Sequence, residues 1–180
     1  MKTIKKLTLA AVAATMLFQT SIARADNNGA ATFNFTKWVI PSSPPPGVLK
    51  DMAGLIVGGG GGGDVGDGQF TGELLSNVSV LPPPPGVSSL RLIEAVYHFH
   101  GSKHSFTARV NVVQTRVGTV TTAVFTGVVT DGWLKGHAVE GGYTVIPPCG
   151  YGGGAGIGNC FEVTLDIIKR DSDDSDDSED

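Results

Sequence analysis

Eight short runs of alternating apolar and polar residues, separated by glycine and proline, constrain this chain more than any other feature. A period of two places successive side chains on opposite faces of a β-strand. Beyond residue 25, no apolar stripe of helical period is long enough to indicate a helix. About eight strands in one chain predict an all-β domain, either a barrel or a sandwich. The predicted strands span residues 31–40, 52–57, 69–81, 89–100, 103–115, 119–130, 136–146 and 160–168.

The first 25 residues have the pattern of an export signal. Three lysines precede an apolar stretch from Leu7 to Phe18, and the small residues Ala23 and Ala25 mark a cleavage site. The apolar stretch is shorter than the roughly 20 residues of a membrane-spanning helix. We therefore expect residues 1–25 to be a signal peptide and the mature protein to be secreted or periplasmic, with no membrane span.

The charge of the chain is concentrated at its end. Residues 171–180 hold seven of the 17 acidic residues and contain no base and no large apolar side chain. We predict a disordered acidic tail, with a specific binding role as the alternative. The domain at residues 26–170 is almost neutral, with nine basic and ten acidic residues. Since neither part offers a basic stripe for phosphates, we exclude nucleic acid as a partner.

The two cysteines of the chain, Cys149 and Cys160, lie twelve residues apart when both ends are counted. In an oxidising compartment a disulfide is the default expectation for such a pair. It would close the loop CGYGGGAGIGNC and stabilise the fold by about 3 kcal/mol in the chain-entropy model. A reactive or metal-binding pair is the alternative, which the absence of a C-x-x-C spacing disfavours.

Two kinds of loop are prominent in the sequence. The sequence PPPGV occurs at 44–48 and again at 83–87. It predicts stiff surface connections or, alternatively, a recognition motif for a proline-binding partner. The six-glycine run Gly58–Gly63, followed by DVGDG, lacks the Gly-Lys-Ser/Thr ending of a phosphate-binding loop. We therefore predict a flexible loop there.

The segment AVYHFHGSKHSF brings three of the four histidines close together. Gly101 and Ser102 form a favoured two-residue hairpin loop, because glycine supplies the positive φ of a type II′ turn. With this loop, the residue numbers of each cross-strand pair sum to 203, so Glu94 lies opposite Arg109. The two side chains are then either a structural ion pair or, alternatively, an acid and the residue that positions it. A three-residue loop would shift the register by one and mix polar with apolar residues on both faces.

The predicted register separates an apolar face from a polar one. The apolar face carries Ile93, Ala95, Tyr97, Phe99, Phe106, Ala108, Val110 and Val112, with His104 at its end. The polar face carries Glu94, His98, His100, Lys103, Ser105, Thr107, Arg109 and Asn111. The three histidines therefore cannot converge on one metal ion. A half site of His98 and His100, with Glu94 or a residue from another strand as third ligand, remains an alternative. No ligand spacing is diagnostic, however, and we predict neither a metal nor another cofactor.

The stretch from Glu94 to Ile146 combines EAVYHF, a paired strand, and AVFTGVVTDGWLKGHAVEGGYTVI. Glycines punctuate its second half at Gly127, Gly132, Gly136, Gly141 and Gly142. This stretch, about a third of the chain, resembles the late strands of the allene oxide cyclase and dirigent barrels. The resemblance implies a single antiparallel eight-stranded β-barrel with an internal apolar cavity, often assembled as a trimer.

The same resemblance implies a range of activities. Members of this superfamily cyclise an unstable fatty-acid epoxide in plants, steer radical coupling in the dirigent branch, or cyclise other natural products in bacteria. The polar pocket residues of the cyclases are a glutamate and asparagines on early strands, and Glu73 and Asn34 match them by residue type alone.

Our leading functional hypothesis is a secreted barrel that binds an apolar small molecule in its cavity. The predicted ligand-binding residues are Tyr97, Phe99, Phe106, Trp133 and Tyr143, although aromatics alternating on a strand also serve as packed core or oligomer interface. The alternatives are a cyclase or isomerase of the allene oxide cyclase type and a surface structural or adhesive protein. No G-x-S-x-G or H-E-x-x-H motif is present, so no catalytic residue is assigned.

Overall fold

The computed structural model describes residues 31–40, 43–56, 63–146 and 160–168. Its eight antiparallel strands pair in chain order, and β1 pairs with β8 to close a barrel. The strands are β1 (Ala31–Ile40), β2 (Lys50–Ile56), β3 (Gly68–Val80), β4 (Ser89–Gly101), β5 (Ser105–Val117), β6 (Val120–Gly132), β7 (Ala138–Ile146) and β8 (Cys160–Ile168). The eight predicted strands and the predicted antiparallel barrel are thus confirmed. Within the described part of the chain, no helix is long and apolar enough to cross a membrane.

A cluster of five phenylalanine rings lies in the barrel interior. The rings of Phe99 and Phe106 stack with their centroids 4.5 Å apart, and Phe99 also meets Phe33 at 5.2 Å and Phe35 at 5.0 Å. Phe70 packs on Phe35 with centroids 4.9 Å apart. All five side chains are at most 3% exposed. Since burying one such side chain stabilises a fold by about 1.5–3 kcal/mol, this cluster contributes strongly to the hydrophobic core of the barrel.

The β4–β5 hairpin departs from the predicted register by two residues. Glu94 pairs with Asn111 and Tyr97 with Ala108, so the paired numbers sum to 205 and the predicted sum of 203 is wrong. A shift of two leaves every side chain on its predicted face. All eight residues of the predicted apolar face are accordingly buried.

Contacts outside the hairpin account for this shift. The backbone amide of Ser102 donates to the carbonyl of Asp67 at 2.7 Å, and the amides of Lys103 and His104 donate to the carbonyl of Val65 at 3.1 and 3.3 Å. The loop is therefore held by the β2–β3 connection and does not close as a two-residue turn.

The Glu94–Arg109 ion pair is present in spite of the shifted register. Arg109 lies opposite Val96 and reaches diagonally, so that its Nε donates to Glu94 Oε1 at 2.7 Å and its Nη2 donates to the same oxygen. The Arg109 side chain is 57% exposed. An ion pair this accessible to water contributes about 0.5 kcal/mol, which fits a structural role on the outer surface.

The end of the barrel that carries the loops 63–67, 102–104 and 133–137 is named the histidine end here. Val65 is fully buried there and belongs to the hydrophobic core. His104 stacks on Trp133 with ring centroids 4.2 Å apart and planes 6° apart. The DVGDG segment that was predicted to be a flexible loop therefore packs, from Asp64 onward, across this end of the barrel.

The opposite end, named the proline end, carries both PPPGV segments. In each of them a valine amide donates to a proline carbonyl three residues earlier at 3.1 Å, from Val48 to Pro45 and from Val87 to Pro84. The third residue of each turn is a glycine with positive φ, 91° at Gly47 and 83° at Gly86. This is the pattern of a type II turn, so both segments are tight surface connections, as the sequence predicts.

Outside the barrel, four large apolar side chains form a row across neighbouring strands. Val78, Leu92, Val113 and Val124 pair successively from β3 to β6. Their exposed fractions lie between 40% and 64%. We call this row the outer apolar stripe.

Several sequence predictions concern residues outside the described ranges. They are the signal peptide at 1–25, the acidic tail at 171–180, the glycines at 58–62, and Cys149 of the expected disulfide. They remain predictions.

Candidate functional site

Lys37 lies inside the barrel, on an otherwise apolar face of β1. The alternation of the strand directs Phe33, Phe35 and Lys37 inward, and Lys37 is only 3% exposed. It sits between Gly54 of β2 and Phe161 of β8 in the sheet. Lysine is rarely buried this deeply without a charged partner, which makes this position unusual.

Aromatic rings surround the amine of Lys37. Its Nζ lies 4.2 Å from the ring centroid of Tyr97, 4.5 Å from that of Tyr143 and 5.8 Å from that of Phe161. Nζ also donates a hydrogen bond to the Tyr97 hydroxyl. Among the described residues, no carboxylate lies within ion-pair distance of Lys37. Ring faces attract a cation but supply no opposite charge.

This environment changes the protonation of all three groups. Burial lowers the pKa of Lys37 from 10.5 to about 7, because the ammonium loses its water. Burial also raises the pKa of Tyr97, and the nearby Tyr143 phenol adds to this effect. For Tyr143, burial likewise raises the pKa, and Arg91 opposes the rise in part. Near neutral pH, Lys37 can therefore gain or lose a proton while both phenols stay protonated.

A polar row leads from Lys37 toward the proline end. Arg91, Gln114, Ala123 and Tyr143 pair successively across β4 to β7 on the inner face. The Tyr143 hydroxyl donates to Gln114 Oε1 at 2.8 Å. Gln114 is half-buried and Arg91 is exposed, so the row connects the interior with solvent. We name Lys37, Arg91, Tyr97, Gln114 and Tyr143 the Lys37 cluster.

The five predicted ligand-binding residues lie in three different places. Tyr97 and Tyr143 belong to the Lys37 cluster. Phe99 and Phe106 lie in the phenylalanine core, where each packs against other rings. Trp133 lies at the histidine end on His104. The structure therefore brings only the two tyrosines together around a polar group.

The histidines of the hairpin lie apart from this cluster. His98 is on the outer face with its Nδ1 3.1 Å from Thr107 Oγ1, and His100 is exposed. In the ranges that the structure describes, no group of three His, Cys, Asp or Glu side chains is placed to hold a metal ion.

The two residues that match the cyclase pocket by type also lie outside the interior. Asn34 is exposed, and its Oδ1 accepts a hydrogen bond from Thr164 at 2.7 Å on the outer surface. Glu73 pairs with Val96 and lies between the inward positions Gly72 and Leu74. Neither side chain therefore lines the barrel interior.

The alternation of β1 in the sequence is enough to place Lys37 on the inner face, although Lys37 was not among the predicted site residues. Lys37 has the same parity in its strand as Phe33 and Phe35, and Gln114 has the same parity as Val110 and Val112. A polar residue at an inward position is unusual, and such interruptions point to a functional site.

Comparison of the chain with protein-family models, with curated proteins and with solved structures found no match, so the site described above rests on the geometry of this barrel.

Proposed function

We propose that this barrel binds a small, mainly apolar molecule inside its proline end, with the polar group of that molecule at the Lys37 cluster. The observation that carries the proposal is a polar row in an otherwise apolar interior, leading from buried Lys37 to exposed Arg91. Small-molecule sites commonly combine an apolar lining with a few convergent polar groups. Barrels of eight strands are wide enough to hold one small ligand.

The first test is native mass spectrometry of the mature protein, purified from its own exported fraction without chelator. We expect one apolar molecule bound for each barrel. The neutral fluorophore N-phenyl-1-naphthylamine serves as a probe in the same preparation, because its emission rises when it leaves water. A protein that carries no molecule and does not enhance this emission would contradict the proposal.

Two adjacent residues provide a matched pair of variants. Ala123 is buried between Gln114 and Tyr143 on the inner face, whereas Val124 is 64% exposed on the outer face. We expect Ala123→Leu to raise the Kd for the fluorophore about tenfold, because the added atoms occupy the binding space. Val124→Leu should leave the Kd within about twofold. Equal effects of the two substitutions would place the fluorophore outside the barrel.

A cyclase or isomerase is the second candidate function. It is favoured by the contact between Lys37 Nζ and the Tyr97 hydroxyl, which pairs a potential base with a potential acid in a water-poor interior. Tyr97→Phe removes the acidic hydroxyl and keeps the ring. If the protein is such an enzyme, this substitution should reduce turnover and leave ligand binding unchanged.

We also propose membership of the allene oxide cyclase and dirigent superfamily, secretion, and a homo-oligomer. The resemblance of residues 94–146 supports the first, and the export-signal pattern of residues 1–25 supports the second. The outer apolar stripe supports the third, because contiguous exposed apolar side chains commonly mark protein interfaces. The native mass spectrum reports the number of copies directly.

We further propose the Cys149–Cys160 disulfide. Cys160 is fully buried at the start of β8. The intact mass of the unreduced mature protein, treated with a thiol-alkylating reagent after unfolding, should show no alkyl group added. Alkylation of both cysteines would contradict the disulfide.

A further inference from the structure

We propose that the amine of Lys37 attaches covalently, as an imine, to an aldehyde or ketone that has an apolar body. The inference rests on the proposed function, since the carbonyl compound must first enter the barrel. It is carried by the position of one primary amine inside an apolar barrel, facing three aromatic rings and a phenol hydroxyl.

The surroundings of Lys37 favour the uncharged amine, which is the nucleophilic form. The groups that face it are Tyr97 from β4, Tyr143 from β7, Phe161 from β8 and Gly54 from β2. None of them carries a negative charge at neutral pH, and burial lowers the pKa of Lys37. Desolvation of this kind activates lysine for Schiff-base chemistry with carbonyl substrates.

The reaction needs no oxidant, reductant or metal. The lone pair of Lys37 Nζ forms a bond to the carbonyl carbon, and the π electrons of the carbonyl move to its oxygen. The two hydrogens of the amine and the carbonyl oxygen then leave as water while the C=N bond forms. The Tyr97 hydroxyl is in contact with Nζ and is placed to donate a proton to the departing oxygen. The proton that the nitrogen loses then returns to the Tyr97 oxygen and restores the phenol.

The rings indicate the body of the carbonyl compound. Tyr143 and Phe161 meet edge to face with centroids 5.2 Å apart, and both face Lys37. A flat, conjugated or aryl group attached to the carbonyl would pack on these rings. We therefore infer an apolar aryl or unsaturated carbonyl compound.

Cinnamaldehyde with sodium cyanoborohydride tests this inference, because reduction converts a transient imine into a stable secondary amine. The full mature chain is incubated at neutral pH, and peptide mass mapping locates the adduct. We expect Lys37 to react roughly tenfold faster than the exposed Lys50, Lys103 and Lys135, because its desolvated amine lies inside the apolar barrel that the aldehyde enters. The rate at Lys37 should rise through about pH 7, following its lowered pKa.

Variants distinguish the proposed amine from its neighbours. Lys37→Met should abolish the rapid adduct, whereas Lys50→Met, which removes an exposed lysine at the proline end, should leave it unchanged. Tyr97→Phe should slow the reaction and still leave Lys37 as the labelled residue. Continued labelling of Lys37 would show that the variant is folded and has lost only the proton donor.

The outcomes separate this inference from the proposed function. Displacement of N-phenyl-1-naphthylamine by cinnamaldehyde without a Lys37 adduct would overturn the imine and leave small-molecule binding intact. Failure of the fluorophore and the aldehyde to bind at all would overturn both. Labelling of Lys37 no faster than of the exposed lysines would also overturn the imine.

Discussion

The free energy of unfolding should increase with pH between pH 7 and about pH 9 by about 2 kcal/mol, and this increase should be absent in Lys37→Met. The reason is that the pKa of Lys37 is about 7 in the folded protein and 10.5 in the unfolded chain. In this interval the unfolded chain binds more protons than the folded one, so raising the pH favours folding. Below the folded pKa, both states are protonated and the full penalty of burying the charge remains.

The comparison with Lys37→Met isolates this one group. Methionine has a similar length and no charge, and replacement of a buried charge by an apolar side chain is commonly stabilising. We expect the variant to be about 2 kcal/mol more stable at neutral pH, after allowance for the lost hydrogen bond to Tyr97. Urea unfolding of both proteins across the pH series measures this difference. Stopping near pH 9 avoids ionisation of Tyr97 and Tyr143 in the unfolded chain. Parallel pH profiles would show that Lys37 keeps its ordinary pKa.

Replacement of Phe99 by alanine should destabilise the barrel by about 4 kcal/mol. The ring is fully buried and contacts Phe33, Phe35, Phe70 and Phe106. Since these four rings come from three different strands, β1, β3 and β5, they cannot close together over the missing ring without moving the sheet. Part of the loss is therefore the cavity that remains, in addition to the transfer of the ring to water.

Val120→Ala is the control for this substitution, because Val120 is 58% exposed and lies outside the outer apolar stripe. Its effect should stay within about 0.5 kcal/mol. Urea unfolding measures the free energy of unfolding of each variant. An unchanged m-value would show that the difference in free energy arises in the folded state. A loss below about 1 kcal/mol for Phe99→Ala would mean that the phenylalanine core repacks freely.

The strands of this barrel could be predicted because their signal is local. The run ATFNFTKWVI alternates between apolar and polar residues from Ala31 to Thr36, and β1 spans residues 31–40 as predicted. The two faces of β4 and β5 were predicted correctly for the same reason. Gly47 and Gly86 likewise mark their turns through a local requirement for positive φ.

The features that were missed depend on contacts between distant segments. The β4–β5 register follows from hydrogen bonds to Asp67 and Val65, about 35 residues earlier in the chain. The surroundings of Lys37 combine rings from β4, β7 and β8. Its inward position was open to prediction from alternation, but the identity of its neighbours requires the closed barrel. For this reason Tyr97 and Tyr143 could be named as pocket residues without the amine that they surround.

The register of the β4–β5 hairpin, two residues away from the predicted one, affects more than the hairpin itself. In an open sheet, a two-residue change of register would leave each side chain on its face and have little other effect. In a closed barrel the stagger of all strand pairs adds up to the shear, and the shear sets strand tilt and diameter together. The carbonyls of Val65 and Asp67 accept hydrogen bonds from the amides of Lys103 and Ser102 and so fix the stagger of this hairpin. Through that stagger they contribute to the diameter of the whole barrel. A change in the stagger of this hairpin would thus alter the diameter of the interior in which Lys37 lies.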